Sequence, residues 1–241
     1  MNVAWKTDIG HVRKNNQDTV LVDREKGIFL LADGMGGHNA GDVASELAVK
    51  EAYAYILKEI ARDVHADDVP DLLEKALCQA HRAIKEKAES DNSLYGMGTT
   101  LVELYIRGDI AYLCHAGDSR AYLFRDTLQQ VTRDHTVGDS YAARGGRESE
   151  KIPSQLWHVL TQALGTRDCP VPGKNALQLK HGDIMLICSD GLTNMLGDDE
   201  IQGIMKGHAG RPIEMVNTLT EAANKKGGKD NISVIAVEIE G

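Results

Sequence analysis

Asp33 closes the apolar run Ile28-Phe29-Leu30-Leu31-Ala32 and is followed at once by Gly34-Met35-Gly36-Gly37. Five apolar residues in a row suit a strand buried on both faces, and the glycines oppose helical continuation. One carboxylate is thereby delivered to the end of a buried strand. The device recurs. Ile184-Met185-Leu186-Ile187-Cys188 leads through Ser189 to Asp190, and in inverted order Asp230-Asn231 precedes Ile232-Ser233-Val234-Ile235-Ala236-Val237. Asp18 likewise precedes Thr19-Val20-Leu21-Val22. A strand that ends in Asp, beside an antiparallel strand that begins with one, brings both carboxylates to one edge of a sheet. Carboxylates crowded in this way repel unless cations lie between them.

Oxygen donors without a neighbouring His or Cys favour magnesium or manganese over zinc or copper. Two such ions sharing a carboxylate and a water convert that water to hydroxide near neutral pH, an arrangement that hydrolyses phosphate esters. Asp118, in Gly117-Asp118-Ser119-Arg120, is a fourth acidic candidate beside Asp33, Asp190 and Asp230. Alone, each Asp-Gly reads as a plain turn; as a set they read as ligands. Arg13, shortly before Asp18, is the best cation for a phosphate dianion, because a guanidinium offers paired donors that Lys cannot copy. Among the nine histidines His38 is the one placed to exchange protons, with a surface or capping role as its alternative. The glycine-rich loop lacks the G-x-x-x-x-G-K-[ST] spacing of a nucleotide cradle. No Ser lies in a nucleophile elbow, and no Cys has an activating context.

The elements that must position these residues follow from periodicity. Strands are expected at 3–6 and 18–22. Helices are expected with Ala44, Leu47, Ala48, Ala52, Tyr55 and Ile56 on one face, and after Pro70 with Leu73, Ala76, Leu77, Ala80 and Ile84. From Thr99 to Phe124 the period changes to two, a strand meander turned at Arg107-Gly108-Asp109 and Gly117-Asp118. Residues 135–174 are broken by Gly145-Gly146, Pro153, Pro170 and Pro172 and read as a polar lid, poor in core residues. A strand from Ile184, a short helix at 198–205, a helix carrying Val216, Leu219 and Ala223, and a last strand complete the chain. With no internal repeat and no linker, a single domain over 1–241 is expected.

With 241 residues, 42% hydrophobic and 26% charged, the chain reads as an ordinary globular protein. A net charge of −9 disfavours nucleic acid and anionic membranes as partners. No apolar run approaches a bilayer-spanning length and the N-terminus lacks a signal-peptide core, so a cytoplasmic location is expected. Cys78, Cys114, Cys169 and Cys188 are scattered without a C-x-x-C pair. They read as buried thiols in a reducing compartment rather than as disulfides or zinc ligands.

Taken in order, Arg13 with Asn16-Gln17-Asp18, Ala32-Asp33-Gly34-Met35-Gly36-Gly37, Gly98-Thr99-Thr100, Gly117-Asp118-Ser119-Arg120, Asp134-His135-Thr136, Ser189-Asp190-Gly191 and Gly228-Lys229-Asp230-Asn231 resemble the motifs of the type-2C, metal-dependent Ser/Thr protein phosphatases (the PPM family) in their short bacterial form. The resemblance runs from end to end. It implies an α+β fold, a four-layer α-β-β-α sandwich of two mainly antiparallel sheets flanked by helices, with the site in a cleft between the sheets. It implies two Mg2+ or Mn2+ ions and a third, weaker one. Asp33 would bridge the first two, the Gly34 carbonyl would bind one of them, and Asp190 and Asp230 would complete the other. Asp118 with Asp190 would hold the third, Arg13 would bind phosphate, and Asp18 would hydrogen-bond metal-bound water. Residues at about 137–172 correspond to the family's flap.

The resemblance further implies hydrolysis of phosphoserine and phosphothreonine in proteins by direct attack of a dimetal-bridging hydroxide, opposite a bacterial Hanks-type Ser/Thr kinase. Nothing in the sequence demands a dimer, so a monomer is expected. One departure bears on mechanism. Eukaryotic members carry His where this chain has Met35, and Met cannot donate a proton usefully; His38 or a metal-bound water are the candidates for the acid. Two rival readings are a catalytically silent phosphoprotein-binding module, against which the retained acidic cluster argues, and a two-metal nuclease, against which the acidic surface argues.

Overall fold

The computed structural model describes residues 1–36, 40–62, 64–145, 152–166 and 168–240. Its strands β1 (Asn2–Asp8), β2 (Asp18–Asp23), β3 (Ile28–Met35), β4 (Gly98–Thr99), β5 (Leu101–Arg107), β6 (Ile110–Ala116), β7 (Arg120–Phe124), β8 (Leu128–Gln130), β9 (Gly173–Gln178), β10 (Ile184–Cys188) and β11 (Ile232–Glu238) form two sheets. One runs β1-β11-β10-β7-β8; the other runs β2-β3-β5-β6-β9, with β4 paired to β3. Every paired neighbour is antiparallel. Helices α1 (Ala40–Ile60) and α2 (Val69–Ser90) pack on the second sheet. Helices α4 (Asp190–Thr193), α5 (Asp198–Gly207) and α6 (Pro212–Lys225) pack on the first. The expected four-layer sandwich is the fold.

The layering explains why the strands read as continuous apolar runs rather than alternating ones: both faces of each sheet are covered. In β3, Ile28, Leu30 and Ala32 face the helices while Phe29 and Leu31 face the other sheet. In β10, Ile184, Leu186 and Cys188 meet α4–α6, and Met185 and Ile187 meet the opposing sheet. Pro70 sits in the first turn of α2, where a missing N–H costs nothing.

Residues 135–174 depart from the expected lid. Val137–Gly145 is a helix, α3, and Ser154–His158 a 3-10 turn. Leu164 is fully buried and exchanges backbone hydrogen bonds with Thr99 at 2.9 and 3.2 Å, so this part of the segment is scaffold. Leu164 and Ala163 are too few to register as a periodic pattern, which is why the sequence hides them. Strands β8 and β9 escape sequence reading for a related reason: they are largely exposed edge strands and carry no hydrophobic alternation.

Candidate active site

Asp18 opens β2 and lies directly opposite Asp33 of β3 in the antiparallel register. The strand carrying Asp33 is gripped from the β4–β5 junction. Thr100 Oγ1 accepts from the Asp33 N–H at 2.9 Å, the Thr100 N–H donates to the Asp33 carbonyl at 2.9 Å, and Thr99 Oγ1 donates to that carbonyl at 2.9 Å. Asp190 starts α4 immediately after β10, and Asp230 lies just before β11. Asp118 occupies the turn where the chain crosses from β6 in one sheet to β7 in the other. Thus the five carboxylates come from both sheets and meet at the seam between them, not along the edge of one sheet.

Gly34 is required here for a backbone reason. A Cβ on it would lie 2.1 Å from the Gly41 carbonyl oxygen and 2.6 Å from that of Gln17, so its bareness lets α1 and the β2 entry close on the strand end. Gly191 serves the same end on the opposite side: a Cβ there would lie 1.9 Å from the Asn231 carbonyl oxygen.

Arg13, Asp33, Gly34, Asp118, Asp190 and Asp230 line one cleft of about 720 Å³, which His158, Leu160–Thr161–Gln162–Ala163 and Thr166 also line. All five aspartates are half-buried, deep enough to feel low dielectric and open enough to admit ions and water. Burial pushes the Asp33 carboxyl well above the usual carboxylate range, and Asp18, Asp190, Asp118 and Asp230 push it the same way. Burial raises Asp18 to about 7 against the pull of the Ser233 and Ser189 hydroxyls, with Asp190 and Asp230 adding to the rise. Asp118 is raised to about 7 by burial, then by Asp190 and Asp134. Asp190 is raised by burial, then by Asp230, and stands within hydrogen-bonding reach of Asp33. The five acids act on one another as a single cluster.

Arg13 reaches the cluster and ends on Asp230, Nη2 to Oδ2 at 2.6 Å, with half its side chain exposed. His38 lies outside the described residues. Sequence reading passed over two residues. His158, which the sequence does not single out among the nine histidines, lines the cleft near Asp190. Asn231 is buried and ties three points of the 9–17 loop to the start of β11: its Nδ2 donates to the Ile9 and Asn15 carbonyls at 2.9 and 3.0 Å, and its Oδ1 accepts from the Gln17 N–H at 2.9 Å. Nothing in an Asp-Asn pair before a strand distinguishes this hub from an ordinary turn.

Among the described residues no three His, Cys, Asp or Glu side chains form a preformed metal cage. Magnesium does not require one, since it keeps several waters and is held by one or two carboxylates. The donor set otherwise fits a hard cation. It is all oxygen, its mutual repulsion asks for positive charge, and the guanidinium on Asp230 supplies some of it. Asp18 Oδ2 accepts from Ser189 Oγ at 2.8 Å, while Oδ1 is buried and has no donor among the described residues, as suits an acceptor for an ordered water.

Comparison with known proteins bears on the same residues. The family model described as Protein phosphatase 2C matches residues 10–232, a span that contains all five aspartates and Arg13. The serine/threonine phosphatase stp of Listeria innocua is 35% identical over 244 residues, covering 99% of this chain and 96% of the relative. The crystal structure of the Mycobacterium tuberculosis serine/threonine phosphatase PstP/Ppp superimposes with a TM-score of 0.86 at 33% identity, covering 100% of this chain and 99% of that one. A structure of the PstP catalytic domain in complex with two manganese ions gives 0.85 at 33% identity, with 100% and 98% covered. With fold, match and end-to-end relatives in agreement, the chain belongs to the protein phosphatase 2C family.

Proposed function

We propose that this chain is a magnesium- or manganese-dependent phosphatase acting on phosphoserine and phosphothreonine in proteins, as a single catalytic domain and a monomer, opposite a bacterial Hanks-type Ser/Thr kinase. The observation that carries the reading is the convergence of four mutually repelling aspartates and one arginine on a single cleft, with Asp18 beside Asp33, in a chain of this family. Asp33, the Gly34 carbonyl, Asp190 and Asp230 would hold two ions, and Asp118 with Asp190 a third. Bound there, the ions supply an acidified water as the attacking hydroxide and positive charge against the phosphoryl oxygens.

The chain's own residues do the remaining work. Asp18, its Oδ2 fixed by Ser189, offers Oδ1 as the acceptor that orients a water. Arg13 is exposed enough to leave Asp230 and take the phosphate dianion with paired donors, which frees the Asp230 carboxylate for a cation. Residues at about 137–172 would act as the flap, and of these His158, Leu160, Thr161, Gln162, Ala163 and Thr166 line the cleft. Met35 lines the cleft without a transferable proton, so the proton for the leaving seryl oxygen comes from His38, from a water of the site or from His158.

The test is release of phosphate from a phosphothreonine peptide with and without Mn2+. Turnover should require the metal, and Asp33→Asn should lower kcat/KM by about a hundredfold or more, a few kcal/mol of transition-state stabilisation. Wild-type turnover by Asp33→Asn, or no turnover by the wild type with metal, would overturn the reading.

A further inference from the structure

The four thiols divide into two kinds. Cys114 and Cys188 are buried in the sheet–helix layers, and burial pushes the Cys188 thiol up to about 12. Cys78 and Cys169 are not core residues. Cys78 is half-buried on α2, Cys169 is exposed between the cleft wall and β9, and although 91 residues separate them their Sγ atoms lie 2.9 Å apart. All four are free thiols, and the expected burial holds for Cys114 and Cys188 but not for Cys169, which is exposed.

We propose that Cys78 and Cys169 are a modification site, a thiol pair that closes reversibly into an intramolecular disulfide with hydrogen peroxide as oxidant and thereby fastens the cleft wall formed by Gln162, Ala163 and Thr166 to α2. A disulfide needs sulfurs at roughly 2.05 Å, and this pair already stands in contact at 2.9 Å. The two thiols are unequal. Burial, then Cys169 itself, pushes Cys78 up to about 12, whereas Cys169 is the one open to solvent and meets the oxidant first.

In the first step the Cys169 sulfur attacks one peroxide oxygen and the O–O bond breaks. The thiol proton leaves with the departing hydroxide as water, and Cys169 becomes a sulfenic acid. The Cys78 sulfur then attacks the Cys169 sulfur, the S–O bond breaks, and a second water leaves with the Cys78 proton. The thiols lose two electrons and two protons, and the peroxide is reduced to two waters.

The link to the cleft is already present in the reduced chain. The Gly165 N–H donates to His81 Nδ1 on α2 at 3.3 Å, one turn beyond Cys78. A Cβ at Gly165 would lie 2.6 Å from Ile84 Cγ2, so the segment is seated directly on the helix. From there Thr166 Oγ1 donates to the Ala163 carbonyl at 2.8 Å, and the Val171 N–H donates to Gln162 Oε1 at 2.9 Å. Ala163, Gln162 and Thr166 are cleft residues, so a bond at Cys169 fixes the wall they form.

The test treats the full chain with equimolar hydrogen peroxide, blocks remaining thiols and maps the peptides without reduction. A Cys78–Cys169 cross-link in monomeric protein, lighter by two hydrogens and reversed by a dithiol, is the expected result. In Cys78→Ser, Cys169 should accumulate as a sulfenic acid that a 1,3-diketone reagent labels. Free thiols at both positions, separate sulfinic acids, or cross-links only between molecules would overturn the proposal. The effect on turnover rests on the phosphatase reading: oxidation should lower kcat/KM for a phosphoprotein several-fold in the wild type and not in Cys78→Ser or Cys169→Ser. A cross-link that forms and leaves turnover unchanged would refute the fastening of the wall while leaving the phosphatase reading intact.

Discussion

Charge alone would scatter the aspartates, and Asn231 shows how single polar residues hold them in place. Its amide joins the 9–17 loop, which carries Arg13 and leads into Asp18, to the start of β11, beside Asp230. Asn231→Ala deletes three partly buried hydrogen bonds and leaves two carbonyls and one N–H without these partners. At about 1 kcal/mol per bond the loss is about 2–4 kcal/mol, to be read from denaturant unfolding. Because the loop that loosens carries Arg13, to which the proposed function gives the phosphate, KM for a phosphopeptide should rise more than kcat falls. An unchanged KM with lowered stability would leave Asn231 a structural residue only. The contrast with Asp33 explains what a sequence conveys at this scale. A carboxylate at the end of an apolar run is anomalous and attracts notice, whereas the importance of Asn231 and His158 lies in residues far along the chain that the fold brings to them.

At the scale of elements, strands covered on both faces announce themselves through unbroken apolar runs, and one of them contains an exception. Glu103 lies in β5 between Leu101 and Tyr105, on the face that meets the helices, with Leu30 and Cys114 as its register partners. It is fully buried, neither carboxylate oxygen has a conventional hydrogen-bond partner among the described residues, and the Cys114 thiol beside it is a weak donor. Burial pushes its carboxyl well above the usual range, which favours the neutral form and leaves its polar atoms unpaired. Glu103→Leu, similar in volume and matched to the surrounding layer, should stabilise the protein by about 1–4 kcal/mol, measured as a raised Tm. A lowered Tm would mean that the carboxyl has a partner that its neighbours do not reveal. The apolar pattern of 101–106 conceals this residue, because one acidic residue in a strand reads as a solvent-facing position; only the second layer of helices makes it internal.

Over the whole molecule the site lies where two sheets meet, and each contributes like charge: Asp18 and Asp33 from one, Asp190 and Asp230 from the other, with Asp118 at the crossing. The chain as a whole is acidic at −9, so no distant field offsets this cluster, and protons and cations compete to neutralise it. Asp18 and Asp118 carry pKa values raised to about 7, against about 3.9 for an unfolded aspartate. A group raised on folding is protonated more in the folded chain than in the unfolded one. Its contribution to stability is therefore complete below about pH 4 and is lost as the pH climbs to about 7. His135 works against this trend, since burial, then His115, lowers it to about 4, which costs stability as pH falls from about 6.5. Comparing wild type with Asp118→Asn at each pH cancels that opposing share. In the metal-free chain Asp118→Asn should raise Tm at pH 7.5, where it removes a repelling charge, and change it little at pH 4.5, where the wild-type carboxyl is already neutral. Mn2+ must displace the same protons, so its stabilisation of the wild type should be larger at pH 7.5 than at pH 5.5. Melting curves in chelator and in Mn2+ at these pH values measure both differences. If Asp118→Asn lowered the metal-free Tm at pH 7.5, or if Mn2+ stabilised equally at both values, the cluster would not be the shared seat of protons and cations that its geometry describes.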